Sequence, residues 1–487
     1  MWQYIKDNIW PLLLAINYGL VIIFSVHILL KNKNPVKTIS YLFALAVFPF
    51  LGLLVYYFFG QDYRKSKIFE KKYFLDNDKI RKWSDSFNLD DEEKEDFEED
   101  FGDGVFKIYK LLKNNQRAVL TFDNEVEILI NGEMKFKRLL EDLEKAQNHI
   151  HLEYFVLFDD EVGNLVIDRL CAKAKSGVQV RLIYDDVGSR ISRKTKKKLR
   201  DSGVRYYPFM PVFFSNSTSK VNYRDHRKIV VIDGNIGYVG GINLDKKYDN
   251  SLKNKRFWRD THLRIEGSAA GSLQAAFLLS WNFVSKQEVE IEEVWFPRSE
   301  PKTKAPTAVQ IAASGPDTDW ANIMEAFFCA ITSARKCIYI SSPYFMPNAQ
   351  ILTALTTASR SGVDVRIIIP KVSDSWPAQY ATDSYIEELE HSGVQMYRYK
   401  KGFVHAKTLV IDDVFSSIGT ANMDYRSFAL NFEINALIYD KEVNRQMKRI
   451  FEKDLEECEE IEYERWVERS IVRKLQESFA RLLAPLL

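Results

Sequence analysis

The alternation of apolar and polar positions divides the chain into three regions of different character. Ile9 to Leu30 is a 22-residue stretch without a charge, and Thr38 to Gly60 is a second of 23; either is long enough to cross a bilayer as a helix. Between them Lys31-Asn-Lys33-Asn-Pro35-Val-Lys37 is a short polar turn, so residues 1–60 read as a transmembrane helical hairpin. A cleaved signal peptide would carry a shorter apolar core with no second span behind it. Tyr4, Trp10, Tyr56 and Tyr57 lie near the span ends, as interfacial aromatics do. Two spans return the chain to its starting side. Lys6 and the flank Arg64, Lys65, Lys67, Lys71 and Lys72 outweigh the three lysines of the turn, which predicts a cytoplasmic body held close to anionic headgroups.

The apolar pattern lapses over residues 61–115, which read as a polar linker. Its centre, Asp90 to Asp100, is acidic in all but two positions, Lys94 and Phe97, and is expected to be solvated. Phe97 and Phe101 leave open an amphipathic helix against the body.

From residue 116 the pattern becomes a repeat. A helical pattern over Phe136–Asn148 leads into the strand His149–Phe155, and Trp320–Lys336 leads into Cys337–Phe345. Gly177-Val-Gln-Val-Arg181 is answered by Gly362-Val-Asp-Val-Arg366, and Ser202-Gly203-Val204 by Ser392-Gly393-Val394. Helices that end at Gly and feed Val-rich strands predict an α/β fold in two copies, 116–300 and 301–455, with the seam at Pro297–Pro306. The copies differ before their last strands: Gly203 to His226 is 23 residues, Gly393 to His405 only 12. The surplus includes the aromatic run Tyr206–Phe214, which is either core packing or a wall for acyl chains. Residues 456–487 form a C-terminal helix, with Trp466, Val467, Ile471, Leu475, Phe479, Leu482 and Leu483 at helical spacing. That apolar face is expected to pack on the body, since acidic residues are as common as basic ones there.

Composition narrows the partners. Formal net charge is +1 over 487 residues, so no global field recruits nucleic acid. Cys171, Cys329, Cys337 and Cys458 are scattered and read as reduced structural thiols. His149 and His151 share a strand face, but no acidic or thiol cluster accompanies them, so they read as an ordinary strand pair and no metal site is expected.

The chemistry lies in a motif written twice. His226-Arg-Lys228-Ile-Val-Val-Ile-Asp233 is followed after six residues by Gly240-Gly241-Ile-Asn243, and His405-Ala-Lys407-Thr-Leu-Val-Ile-Asp412 after six by Gly419-Thr-Ala-Asn422. Alternation puts His and Lys on one strand face. Each copy therefore presents an imidazole, an ammonium and a carboxamide. Two lysines and two asparagines can neutralise phosphate oxygens, one imidazole can attack phosphorus, and the other can protonate a leaving alkoxide. Neither copy suffices alone.

The doubled motif resembles the HKD motifs of the phospholipase D superfamily. With the N-terminal hairpin, Glu153-Tyr-Phe155, Tyr184-Asp-Asp-Val-Gly188-Ser189 and the close Arg481-Leu-Leu-Ala-Pro485-Leu-Leu487, the chain is similar to bacterial cardiolipin synthases. The resemblance implies two phospholipase D-like domains related by a pseudo-twofold axis. It also implies transfer of a phosphatidyl group from one phosphatidylglycerol to the glycerol of another through a phosphohistidine, without cofactor or metal, at an anionic membrane. Residue by residue it implies His226 as nucleophile and His405 as general acid and base. Lys228, Lys407, Asn243 and Asn422 fall at the phosphate, and the motif aspartates Asp233 and Asp412, which end their strands, are expected to be structural. It further pairs a downstream acid with each imidazole: Glu433 with His405, and Asp260 with His226. Gly241 stands where the pattern often has Ser. The rival readings are a hydrolase or headgroup-exchange enzyme, a nuclease of the same superfamily, and a lipid-binding scaffold with a dead site, the last opposed by the presence of both His and both Lys. Oligomeric state is not legible.

Overall fold

The computed structural model describes residues 9–31, 35–48, 50–52, 77–211, 223–287, 289–297 and 306–485. The chain falls into two compact units, one of residues 1–66 with 213–222 and the other of 67–212 with 223–487.

In the first unit, helices Ile9–Lys31 and Pro35–Val47 pack on each other through Val21, Ile28 and Leu45. Asn17 accepts the N–H of Phe50 at 2.9 Å. The first helix is long and apolar enough to cross a membrane. The described second helix, 13 residues, is shorter than a span. Most of the remainder of the expected second span lies outside the described residues, as do Tyr4, Tyr56, Tyr57 and the flanking bases.

In the second unit a single sheet of 15 strands runs through both repeats. At its middle Leu120–Ile130 pairs antiparallel with Thr307–Ser314. Outward from the former come Thr261–Glu266, Ile236–Gly240, Lys228–Ile232, His149–Tyr154, Gln179–Asp185 and Arg205–Phe209. Outward from the latter come Glu433–Tyr439, Phe415–Gly419, Thr408–Ile411, Cys337–Ser341, Asp364–Pro370, Gln395–Tyr399 and Cys458–Glu460. Apart from the added last strand, the order is the same on both sides, which gives the repeat its pseudo-twofold relation. The outer strands pair in parallel across helical crossovers, whereas the two motif strands form antiparallel hairpins with their successors. The central pair is bulged where the buried Asn124 amide donates to the carbonyls of Thr121 at 2.9 Å and Thr307 at 3.0 Å.

Several expectations are corrected. From residue 77 the expected linker is folded structure. Its acidic run is the helix Asp91–Phe101, started by a reciprocal cap in which Asp90 accepts the N–H of Glu93 and Glu93 that of Asp90, both at 2.9 Å. Phe97 is buried against Phe106, Tyr109, Phe122 and Tyr439, the last on a strand of the second repeat. Of the aromatic run Tyr206–Phe214, residues 206–209 belong to an edge strand, with Phe209 packed in the core on Phe283 and Phe432; residues 212–214, like 298–305 of the seam, lie outside the described residues.

The C-terminal helix Ile471–Leu483 faces opposite to expectation. Its charged side meets the body, Arg473 contacting Asp383 at 2.5 Å and Arg481 contacting Glu388 at 3.1 Å, while Arg469 just before it reaches Glu387 at 2.7 Å. The buried Asp383 and the more exposed Glu387 and Glu388 hold the charged side inward, and the large apolar residues of the helix face are left in solvent. His149 and His151 are core residues. Burial pushes the pKa of His149 down to about 4 and that of His151 well down, and His151 is bracketed by Gln274 and Arg181.

Candidate active site

The two motif histidines are brought together because each lies on a segment that pairs with the opposite repeat. Just before His226, Asp225 bridges to Phe432, and the His226 N–H donates to the Phe432 carbonyl at 3.0 Å. Just before His405, Gly402–Val404 runs parallel to Phe257–Arg259, and the His405 N–H donates to the Arg259 carbonyl at 2.7 Å. The next residue along each partner segment is an acid.

This crossing corrects the expected acid assignment. Glu433 lies against His226, at 2.9 and 3.0 Å from Nδ1, and Asp260 lies against His405, at 2.7 Å from Nδ1. Sequence order suggested that each acid serves the histidine upstream of it in its own repeat. The strand pairing across the pseudo-twofold axis exchanges them.

The lysines are positioned alike. Lys228 Nζ donates to its own motif's His226 carbonyl and Lys407 Nζ to that of His405, each at 2.6 Å. Both ammonium groups are buried in one field: Lys407 depresses Lys228, both feel Glu433 and Asp260, and both lower His405. Burial, joined for Lys228 by repulsion from Lys407, brings Lys228 down to about 7, and burial alone brings Lys407 to about 8. Asn243 donates from Nδ2 to the Tyr248 hydroxyl at 2.8 Å, and Asn422 donates to Asp424 at 3.0 Å. A carboxamide carries two N–H groups, so each keeps one for a ligand.

Asp233 and Asp412 stand apart from this cluster at the far ends of the motif strands. Each takes a left-handed backbone conformation, φ 51° and 49°. Asp233 accepts the N–H groups of Gln147, Asn148 and His149, and Asp412 those of Arg335, Lys336 and Cys337. They clamp the helix-to-strand turn of each repeat and touch no other motif residue by side chain. Their contacts are those of structural residues.

The two imidazoles shift alike, and the acids behind them differ. Burial lowers the pKa of His226 to about 4 and that of His405 well below its ordinary value. Burial would raise Glu433, but the His226 ring and Lys228 hold it below the usual carboxylate range. Burial raises Asp260 to about 7 despite Lys407. His226 therefore donates Nδ1–H to an ionised carboxylate, whereas His405 shares a proton-retaining site with Asp260.

Sequence reasoning noted Gly241 only as a departure from the usual Ser and did not single out Thr420 or Lys135. Thr420 donates its hydroxyl to Glu433 at 2.5 Å. At the equivalent position Gly241 supplies space: a Cβ there would lie 2.1 Å from Asp260 Oδ1. Thr420 and Gly241 occupy the same slot of the written motif, so comparing the two copies could have found them. Lys135, fully buried with no hydrogen-bond partner for Nζ among the described residues, lies in the field of Asp260 and is pushed well down by burial; no motif marked it in the sequence. Aromatic rings wall the site, Phe155 at 5.0 Å from the His226 ring, and Tyr248 and Trp258 each at 5.5 Å from that of His405. Among the described residues no three His, Cys, Asp or Glu side chains are grouped to hold a metal ion.

The family described as cardiolipin synthase, PLD-like domain, matches residues 139–255 and 327–455, and a phospholipase D-nuclease N-terminal family matches 19–61. Cardiolipin synthase 2 of Bacillus anthracis is 40% identical over 474 residues, covering 94% of this chain and 88% of the relative. The major cardiolipin synthase of Bacillus subtilis is 38% identical over 488 residues, covering 99% and 100%. Among solved structures, the phosphatidylserine synthase of Haemophilus influenzae superposes with a TM-score of 0.59 at 15% identity, over 78% of this chain and all of that one; at that identity the likeness is one of fold.

Proposed function

The chain belongs to the cardiolipin synthases of the phospholipase D superfamily, and on that premise we propose that it joins two phosphatidylglycerol molecules into cardiolipin and glycerol. The observation that carries the reading is the crossed pair of histidine–carboxylate contacts, which sets each imidazole against a carboxylate of the other repeat.

His226 is the nucleophile. With Nδ1–H donated to Glu433, the Nε2 lone pair attacks phosphorus of the first phosphatidylglycerol. The N–P bond forms, the bond from phosphorus to the headgroup glycerol breaks, and His405 gives its proton to the departing alkoxide. In the second half His405 takes a proton from the free glycerol hydroxyl of a second phosphatidylglycerol. That oxygen attacks phosphorus, the N–P bond breaks and cardiolipin leaves. Lys228, Lys407, Asn243 and Asn422 stabilise the charge on the non-bridging oxygens through both steps. Asp260 holds the His405 ring in place for the proton transfers of both steps.

We assign 116–300 and 301–455 as the two catalytic domains on the repeat, with 456–487 appended. The apolar helix Ile9–Lys31 supports membrane attachment. A two-span anchor with the body on the cytoplasmic side follows from the basic flank of the sequence.

The test is mass spectrometry of the products when purified, detergent-solubilised protein meets phosphatidylglycerol alone. Equal amounts of cardiolipin and glycerol are expected. Phosphatidic acid with glycerol would mean that water captures the intermediate, and the chain would be a hydrolase.

A further inference from the structure

The helix Ile471–Leu483 presents a continuous apolar stripe that nothing in the body covers. Ile471 is 75% exposed, Val472 61%, Leu475 65%, Phe479 61% and Leu482 75%. At about 100° per residue these five fall within an arc roughly 100° wide, with Gln476 and Ser478 at its edges and no charged residue inside it. The opposite face holds Arg473, Glu477 and Arg481, each bonded to the body or to its neighbours. An isolated soluble domain gains nothing from turning five large apolar side chains into water while ion pairs fix the helix in that orientation.

The stripe continues toward the active site. Arg473 also lies 4.0 Å over the ring of Tyr380, on the helix Trp376–Asp383, so the two helices are fastened together. At the start of that helix Trp376 is 68% exposed, and Val372 just before it is 57% exposed. This loop borders the catalytic cavity: Asp374 accepts the Tyr344 hydroxyl at 2.7 Å, the Tyr344 ring is 6.4 Å from that of Phe403, and Phe403 is 5.9 Å from the His405 ring. In the first repeat the position equivalent to Val372 is Val187, 56% exposed. Its neighbour Gly188 packs on Phe155, the ring beside His226. Each histidine thus has an exposed apolar loop tip beside it.

We propose that Ile471, Leu475, Phe479 and Leu482, with Trp376 and the loop tips Val187 and Val372, form the surface on which the catalytic body seats into an anionic phospholipid bilayer, so that lipid reaches the site from the membrane. The proposal rests on the reading that the substrate is a membrane phospholipid. Charge favours that occupant: on the flank of the stripe beyond Ser478, Lys474 makes no ion pair among the described residues, and its ammonium is placed to meet an anionic headgroup. A second copy of the chain seated here would cover the loop tips and close the approach to both histidines, whereas a bilayer supplies what the site consumes.

The experiment uses the full-length protein in vesicles of phosphatidylcholine and phosphatidylglycerol doped with a phosphatidylglycerol bearing a photoactivatable diazirine on its acyl chain. After irradiation, adducts mapped by peptide mass spectrometry are expected at 471–482 and at Trp376 as well as in the N-terminal helix. Adducts confined to residues 9–60, or protein–protein crosslinks at 471–482 without lipid adducts, would overturn the proposal. In a second arm, Leu475→Ser with Phe479→Ser, both at exposed positions, should lower turnover of vesicle phosphatidylglycerol about tenfold. Turnover of a monomeric short-chain phosphatidylglycerol should stay unchanged. Leu165→Ser, 57% exposed elsewhere, should alter neither, and equal vesicle turnover by the double variant and the wild type would sink the idea. If wild-type protein failed on the short-chain lipid, the proposed function would fall, while the adduct map would still decide the membrane surface.

Discussion

Glu433, on a strand of the second repeat, lies 2.9 Å from Nδ1 of His226, which belongs to the first. Its counterpart Asp260, from the first repeat, lies 2.7 Å from Nδ1 of His405 in the second. Each catalytic imidazole is oriented by a carboxylate from the other half, so neither half can carry an oriented histidine by itself. The fused sheet is what makes the two repeats one enzyme.

The crossing separates the two acids by the step they affect. Glu433→Gln removes the charge behind the nucleophile and should lower transfer at least about 100-fold, with no covalent phosphoenzyme trapped by rapid acid quench. Asp260→Asn should lower transfer comparably, yet still yield trapped phosphoenzyme, because His226 retains its partner. Trapping in Glu433→Gln but not in Asp260→Asn would restore the uncrossed assignment.

The pH dependence follows from the buried cations. Lys228 and Lys407, brought down to about 7 and 8, lose their charge as pH rises, so kcat/KM should fall above about pH 8. The acid limb should come near 4, where His226 takes up a proton. Bound phosphate raises both lysines, so the alkaline limb of kcat should lie above that of kcat/KM. Stability moves the other way: the lysines' folded values lie below 10.5, so above about pH 7 the unfolded chain binds more protons and unfolding becomes harder toward pH 10. Calorimetry beside the rate profile checks both signs.

Gly241 and Thr420 fill one motif slot with different demands. Gly241→Ala places a Cβ 2.1 Å from Asp260 Oδ1, so the carboxylate must leave His405, and transfer should fall about 10- to 100-fold. Thr420→Val keeps the volume but removes the hydroxyl from Glu433, and transfer should fall about tenfold. Equal activity in both variants, measured with circular dichroism to confirm folding, would deny these residues a positioning role.

Much of this was legible in the chain. The repeat, its strands and the shared face of His and Lys within each motif follow from spacing, because a strand fixes which side chains share a face; that the two motifs converge was implied by the family resemblance. The acid exchange was not legible, because Glu433 and Asp260 reach their histidines through strand pairing between repeats, a long-range relation that local spacing does not encode. The orientation of Ile471–Leu483 was misread for a related reason: an amphipathic pattern shows that a helix has two faces, and only the acids Asp383, Glu387 and Glu388 on the body decide which face turns inward.

The acidic run was misread because charge outnumbers apolar residues within it, yet a single side chain governs its placement. Phe97 is 3% exposed and sits in a cluster with Phe106, Tyr109, Phe122 and Tyr439. Truncating it leaves a cavity between the helix Asp91–Phe101 and the strand Glu433–Tyr439, so Phe97→Ala should destabilise the body by about 3–5 kcal/mol. Glu95→Ala and Glu99→Ala, on the solvent side, should change stability by under about 0.5 kcal/mol. That strand begins at Glu433, the carboxylate behind His226. Loosening its far end should therefore also lower turnover at temperatures where the wild type is stable, and denaturant titration read beside activity separates the two effects. Phe97→Ala with wild-type stability would return residues 90–101 to the status of a linker.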